Sequence, residues 1–123
     1  MAAKVLIVED NALNLKLFTD LLRAHGFEVE PLADGGEALA RARAFLPDLV
    51  IMDIQLGGVS GLDLIEQMRK DEGLAAIPVL AVTAYAGTGD EDRILSAGAT
   101  AYVSKPVSVM PFLETVKGLV HAA

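Results

Sequence analysis

Leu49-Val50-Ile51-Met52-Asp53 decides how this chain is read. Four apolar residues run unbroken and stop on an acid. A strand with one wet face alternates apolar and polar residues. A run that is apolar throughout belongs to a strand covered on both faces, as in the parallel sheet of an α/β fold. The pattern recurs on either side. Val5-Leu6-Ile7-Val8 ends on Glu9 and Asp10, Val79-Leu80-Ala81-Val82 ends on Thr83, and Ala101-Tyr102-Val103 leads past Ser104 to Lys105. If these runs are parallel strands of one sheet, all these side chains meet at its carboxyl edge, where open α/β sheets carry their sites.

Strands are expected at 4–8, 28–32, 49–52, 79–82 and 101–104, with helical patterns between them. Leu17, Phe18, Leu21 and Leu22 share one stripe; so do Ala38, Leu39, Ala42 and Phe45, and Phe112, Val116, Leu119 and Val120. Gly26 and Gly98 stand where helices would end in a left-handed residue, with His25 complementing the first of those ends. Pro47 and Pro78 are expected to stop helices before the next strand, and Lys70 or Asp71 to lie near such an end. Five βα units in 123 residues make a single domain over 1–123. Its fold class is α/β, a flavodoxin-like doubly wound five-stranded parallel sheet with right-handed crossovers. Periodicity does not supply the strand order. Order 2-1-3-4-5 is borrowed from that fold type; it sets the first and third strands side by side and brings Glu9, Asp10 and Asp53 together.

Composition narrows the function. Ten basic and 17 acidic residues leave a net charge of -7, with no basic stretch to follow a phosphate backbone, so no nucleic-acid partner is expected. The absence of cysteine excludes disulfides and thiolate sites. No signal-peptide core and no apolar run of spanning length is present, so a cytoplasmic protein without membrane insertion is expected.

Three carboxylates in one place need compensation. Two of them about 5 Å apart repel by roughly 3 kcal/mol at an effective dielectric near 20. They must take up a proton, pair with a cation or bind metal. Mg²⁺ suits the set, since it takes oxygen ligands and commonly uses one or two carboxylates with a substrate phosphate. For Glu9 and Asp10 alone, capping of the following helix by Asp10 or Asn11 accounts for the pair equally well. Asp53 at the end of an apolar strand is not explained that way. An aspartate can act as a nucleophile and carry an acyl phosphate. Lys105 would neutralise the transferred group and Thr83 would hydrogen-bond one of its oxygens. Tyr102, taken singly, is a partly buried aromatic.

Val5 to Asp10, Met52-Asp53, Val82-Thr83-Ala84 and Lys105-Pro106, in this order and spacing, resemble the receiver domain of two-component response regulators, of the CheY-like superfamily. The resemblance covers essentially the whole chain. It implies that Asp53 accepts phosphate from a phosphohistidine on a histidine kinase or histidine phosphotransfer protein. It implies that Glu9, Asp10, Asp53 and the backbone carbonyl of Gln55 hold Mg²⁺, that Lys105 pairs with the phosphate, and that a cis peptide joins Lys105 to Pro106. It also implies that Thr83 and Tyr102 form a switch pair. Together they would remodel the face of the fourth helix, fifth strand and fifth helix for a downstream protein partner. Where the family usually has proline after Leu56, this chain has Gly57-Gly58, which leaves the loop beside Asp53 freer. Gln55 and Tyr85 lie where receivers control access of water to the phosphoaspartate.

Finer strings, among them Glu9 to Asn14, Met52 to Leu56, Val82 to Ala86, Gly89 to Arg93 and Lys105 to Ser108, resemble stand-alone regulators of bacterial cell-cycle and polarity control. The expectation is therefore a receiver with no output domain. It would accept phosphate and assist its loss, without being a metabolic enzyme. A motility regulator of the chemotaxis type fits these strings less well, and a docking module independent of phosphorylation is the non-catalytic alternative. A flavodoxin-type cofactor binder is disfavoured because Glu9-Asp10-Asn11 would repel a phosphate. A dehydrogenase would need a glycine fingerprint after the first strand. An aspartate-dependent phosphohydrolase would carry its nucleophile there too.

Overall fold

The computed structural model describes residues 2–56, 60–84, 90–105 and 107–122, with the backbone alone at 90, 121 and 122. Five strands, β1 (Lys4–Val8), β2 (Glu28–Leu32), β3 (Leu49–Asp53), β4 (Val79–Thr83) and β5 (Ala101–Ser104), form one sheet in the order β2-β1-β3-β4-β5. Every pairing is parallel. The helices are α1 (Ala12–Ala24), α2 (Ala38–Phe45), α3 (Gly61–Lys70), α4 (Asp90–Ala97) and α5 (Val109–Ala122), with a short 3-10 turn at Gly35–Glu37 ahead of α2. The expected strands and their borrowed order are both present. β3 and β4 run one residue further than their apolar runs and take in Asp53 and Thr83.

The pleat sorts the apolar runs onto two cores. Val5, Ile7, Leu49, Ile51, Leu80 and Val82 meet Phe18 and Leu22 of α1 and Phe112, Leu113 and Val116 of α5. Phe18 and Phe112 stack with ring centroids 5.1 Å apart. Leu6, Val8, Val50, Met52, Val79 and Ala81 face Ala38 and Ala42 of α2, Leu64, Ile65 and Met68 of α3, and Ile94 and Ala97 of α4. Successive strand residues point to opposite faces, so only a run apolar throughout can serve helices on both.

Helix ends follow local chemistry. Asn11 caps α1, its Oδ1 accepting the Asn14 N–H at 3.0 Å. Gly26 and Gly98 have φ of 88° and 119°, as expected of residues just past a helix. α2 ends before Pro47, with Leu46 as its left-handed cap at φ 51°. α3 ends at Lys70 with Asp71 as its cap, as expected for Lys70 or Asp71, and Asp71 then builds a turn of its own before Pro78: its Oδ1 accepts the Gly73 N–H and its carbonyl accepts from Leu74 and Ala75. The Arg69 guanidinium ties this turn to the end of α4, donating to the carbonyls of Ala75, Ile77 and Gly98. Leu17 is 57% exposed, since Phe18 and Leu22 carry the contact of α1 with the sheet and Leu17 falls to the side of that stripe.

Candidate functional site

Strand register fixes the height of each side chain at the carboxyl edge. Val8 pairs with Met52, so the residues that follow, Glu9 and Asp53, stand level on adjacent strands. Asp53 pairs with Val82 and Thr83 with Ser104, which sets Thr83 and then Lys105 one step further along. The ladder continues past the strand ends. Glu9 N–H donates to Leu32 O, Ile54 N–H to Val82 O, and Lys105 N–H to Thr83 O at 2.7 Å. Backbone positions at the edge are thus held by the sheet itself. α3 begins against the same edge: a Cβ on Gly61 would meet the Asp53 carbonyl oxygen and come within 2.8 Å of Ile54 Cα, so only glycine fits.

The edge gathers the acids. Glu9, Asp10 and Asp53 each offer a carboxylate oxygen, and these oxygens all lie within 4.8 Å of one another. Glu9 and Asp53 are buried, at 2% and 3% exposure, while Asp10 faces solvent. Asn11, one of the two candidates for the cap, takes it, and Glu9 and Asp10 before it converge on Asp53 at the edge. Lys105 bridges the buried pair: Nζ donates to Glu9 Oε1 at 3.1 Å and to Asp53 Oδ2 at 3.2 Å. The other Asp53 oxygen, Oδ1, accepts the Gln55 N–H at 3.0 Å.

Electrostatics at this edge are unresolved by one cation. Burial, together with the hydrogen-bonded neighbour Asp53, pushes the Glu9 carboxyl up to about 6 against the opposing pull of Lys105. Burial draws the Lys105 ammonium down, but its hydrogen bond to Glu9 and the charge of Asp53 outweigh that and hold it above the usual lysine range. Among the described residues, Glu9 Oε2 and Thr19 Oγ1 are the buried side-chain atoms without a hydrogen-bond partner. A buried, unpartnered carboxylate oxygen among other carboxylate oxygens fits a hard divalent cation, which takes oxygen ligands. The acid set can therefore hold a metal.

Thr83 is 1% exposed and reaches the acids through an intermediary. Gln55 Nε2 donates to Thr83 Oγ1 at 3.2 Å, and Gln55 Oε1 accepts the Ala84 N–H at 3.0 Å. The sequence singled out Gln55 for its carbonyl and its position, and gave no sign of this bridge. Its only signal was a side chain with both donor and acceptor two residues after Asp53. Tyr102 stands apart from the acids. It pairs with Ala81, packs on the core shared with α4, and donates to the Glu91 carboxylate of α4, which raises the phenol pKa. Gly57-Gly58, Tyr85 and the Lys105-Pro106 peptide lie outside the described residues. Beside Lys105 a groove of about 460 Å³ opens, lined also by Asn14, Leu17, Phe18 and Val107.

Comparison with known proteins meets this geometry. The family described as response regulator receiver domain matches residues 5–117. The polar-differentiation response regulator DivK of Brucella ovis is 54% identical over 117 residues, 95% of either chain. The crystal structure of a CheY-like response regulator receiver domain protein from Methanospirillum hungatei superimposes with a TM-score of 0.91 at 32% identity. It covers 99% of this chain and 96% of that one. The receiver domain of a sensor histidine kinase from Pseudomonas aeruginosa, with a magnesium ion coordinated in its active-site cleft, gives 0.90 at 29% identity over 98% and 99% of the two chains.

Proposed function

This chain belongs to the response regulator receiver domain family, whose partners are histidine kinases, and on that premise we propose that Asp53 is its phosphoacceptor. An Asp53 carboxylate oxygen attacks the phosphorus of a phosphohistidine, the P–N bond breaks, and the imidazole nitrogen leaves with the bonding pair. Asp53 Oδ1 is oriented by the Gln55 N–H, and Oδ2 faces Lys105. Lys105, now shared by two carboxylates, turns its ammonium to the oxygens of the arriving group. Thr83 supplies a hydroxyl to one of them. Glu9, Asp10, Asp53 and the Gln55 backbone carbonyl would hold Mg²⁺, which when bound offsets the negative charge of the carboxylates and of the phosphoryl oxygens.

The observation that carries this reading is the convergence of Glu9, Asp10 and Asp53 on one edge with Lys105 bridging two of them. A phosphoryl group adds about -1.5 to -2 charges and three acceptor oxygens to that edge. Thr83 and Tyr102 serve as the switch pair, and Tyr102 couples β5 to Glu91 of α4. The changed surface is the α4-β5-α5 face, read by another protein and not by nucleic acid. The groove with Leu17 and Val107 beside Lys105 offers the phosphodonor a place to approach. Likeness to DivK supports a stand-alone cytoplasmic regulator of one domain, acting in polar differentiation and cell-cycle phosphorelays. Among the described residues no helix is long and apolar enough to cross a membrane.

Incubation with acetyl phosphate and Mg²⁺ tests the acceptor. One phosphoryl group per chain should appear, labile to base and dependent on the metal, and Asp53→Ala should abolish it. Labelling that persists in D53A, or none in the wild type with either acetyl phosphate or a phosphorylated histidine kinase, overturns the assignment.

A further inference from the structure

One side chain already engages a backbone donor that a phosphoryl oxygen would need beside Asp53, and it also donates to the neighbouring hydroxyl. The Ala84 N–H, at the end of β4, donates to Gln55 Oε1 at 3.0 Å, and Gln55 Nε2 donates to Thr83 Oγ1 at 3.2 Å. The same residue's backbone N–H is on Asp53 Oδ1 at 3.0 Å. One residue therefore touches the acceptor, the buried hydroxyl and the adjacent backbone donor together. Three strong acceptor oxygens arriving on Asp53 call for fixed donors of this kind. A carboxamide oxygen on the Ala84 N–H is the neutral counterpart of a phosphoryl oxygen at that place. Gln55 itself is exposed, so its side chain has solvent to turn into.

We infer that Gln55 is a positioning residue that caps the unphosphorylated edge, its carboxamide holding Thr83 and the Ala84 N–H until a phosphoryl group displaces it. The inference rests on the receiver reading above. Contacts present in only one of two states shift the balance between them, and these contacts favour the unphosphorylated one. Removing the carboxamide takes Gln55 off the Ala84 N–H, so an incoming oxygen no longer competes with it for that donor. The backbone N–H to Asp53 is unaffected by the change of side chain, so the acceptor stays oriented.

Trifluoroberyllate, a non-covalent stand-in for the phosphoryl group, gives the test. It is titrated into the wild type, Gln55→Met and Gln55→Ala at Mg²⁺ concentrations saturating for each, with the Ala84 amide followed by NMR. Gln55→Met keeps the length of the side chain and removes its hydrogen bonding. Both variants should bind the mimic roughly two- to twelvefold more tightly, the range expected for one hydrogen bond no longer competing. Before the mimic is added, the Ala84 amide proton should already have moved upfield in both, a signature that a loss of general stability does not produce. Unchanged or weaker mimic binding in the variants overturns the cap, as does an Ala84 amide that does not move. A wild type that binds no mimic at all overturns the receiver reading, and the cap with it, so the two failures are distinguishable.

Discussion

Glu9 is a carboxyl group held where its surroundings oppose its charge. Its folded-state pKa of about 6 lies above the ordinary 4.5, so the folded chain holds that proton more tightly than the unfolded one. The resulting stability is complete below pH 4.5 and is lost as pH rises through 6. In metal-free solution, Glu9→Gln should therefore gain on the wild type by about 2 kcal/mol between pH 4.5 and 7. Urea unfolding of both proteins at the two pH values measures it, and parallel behaviour would contradict the placement of Glu9. Acids at strand ends could be picked out beforehand because an apolar run that stops on a charge is a strong local signal. Whether Glu9 and Asp10 capped the helix could not, since Asn11 is an equally good cap and only the backbone geometry chooses between neighbours. The Gln55 bridge was illegible for a different reason: it joins residues 28 apart through a side chain of no distinctive chemistry.

Among the elements, α2 ends under strain. Leu46 adopts φ 51° and ψ 64° as its left-handed cap, a conformation that costs a β-carbon-bearing residue about 1–2 kcal/mol and that the following proline restricts further. The side chain is 60% exposed, so it has little packing to lose. Leu46→Gly should raise stability by about 1 kcal/mol, seen as a higher urea midpoint with an unchanged slope. A lower midpoint would mean that the leucine contributes contacts outweighing its backbone cost. Strands were the most legible elements, because burial on both faces leaves no polar residue to blur a run such as Val79 to Val82. Helix ends were less so. Lys70 or Asp71 marked the end of α3, but the Arg69 contacts with three carbonyls that tie down the turn beyond it were not visible. Gly98 lies 29 residues from Arg69, and no local pattern announces that contact.

For the molecule as a whole, the two cores hold five strand ends at fixed heights, and a net charge of -7 sits partly on the edge they define. A cation that binds this edge only in the folded chain must stabilise the whole fold. Mg²⁺ at about ten times its dissociation constant should add roughly 1.4 kcal/mol, a rise of a few degrees in Tm. The rise should be absent in Asp53→Ala and insensitive to an equal ionic strength of NaCl. An equal rise with NaCl would reduce the effect to general screening. The order of the strands, on which this shared edge depends, was not written in any one run; it arises from which crossovers the helices permit. Gly61 shows how tightly the finished assembly is built around that edge. The hydrogen atom in place of a side chain there lets the start of α3 lie directly against the backbone of Asp53 and Ile54. A laboratory lineage selected to retune this protein would find that position shut to every side chain.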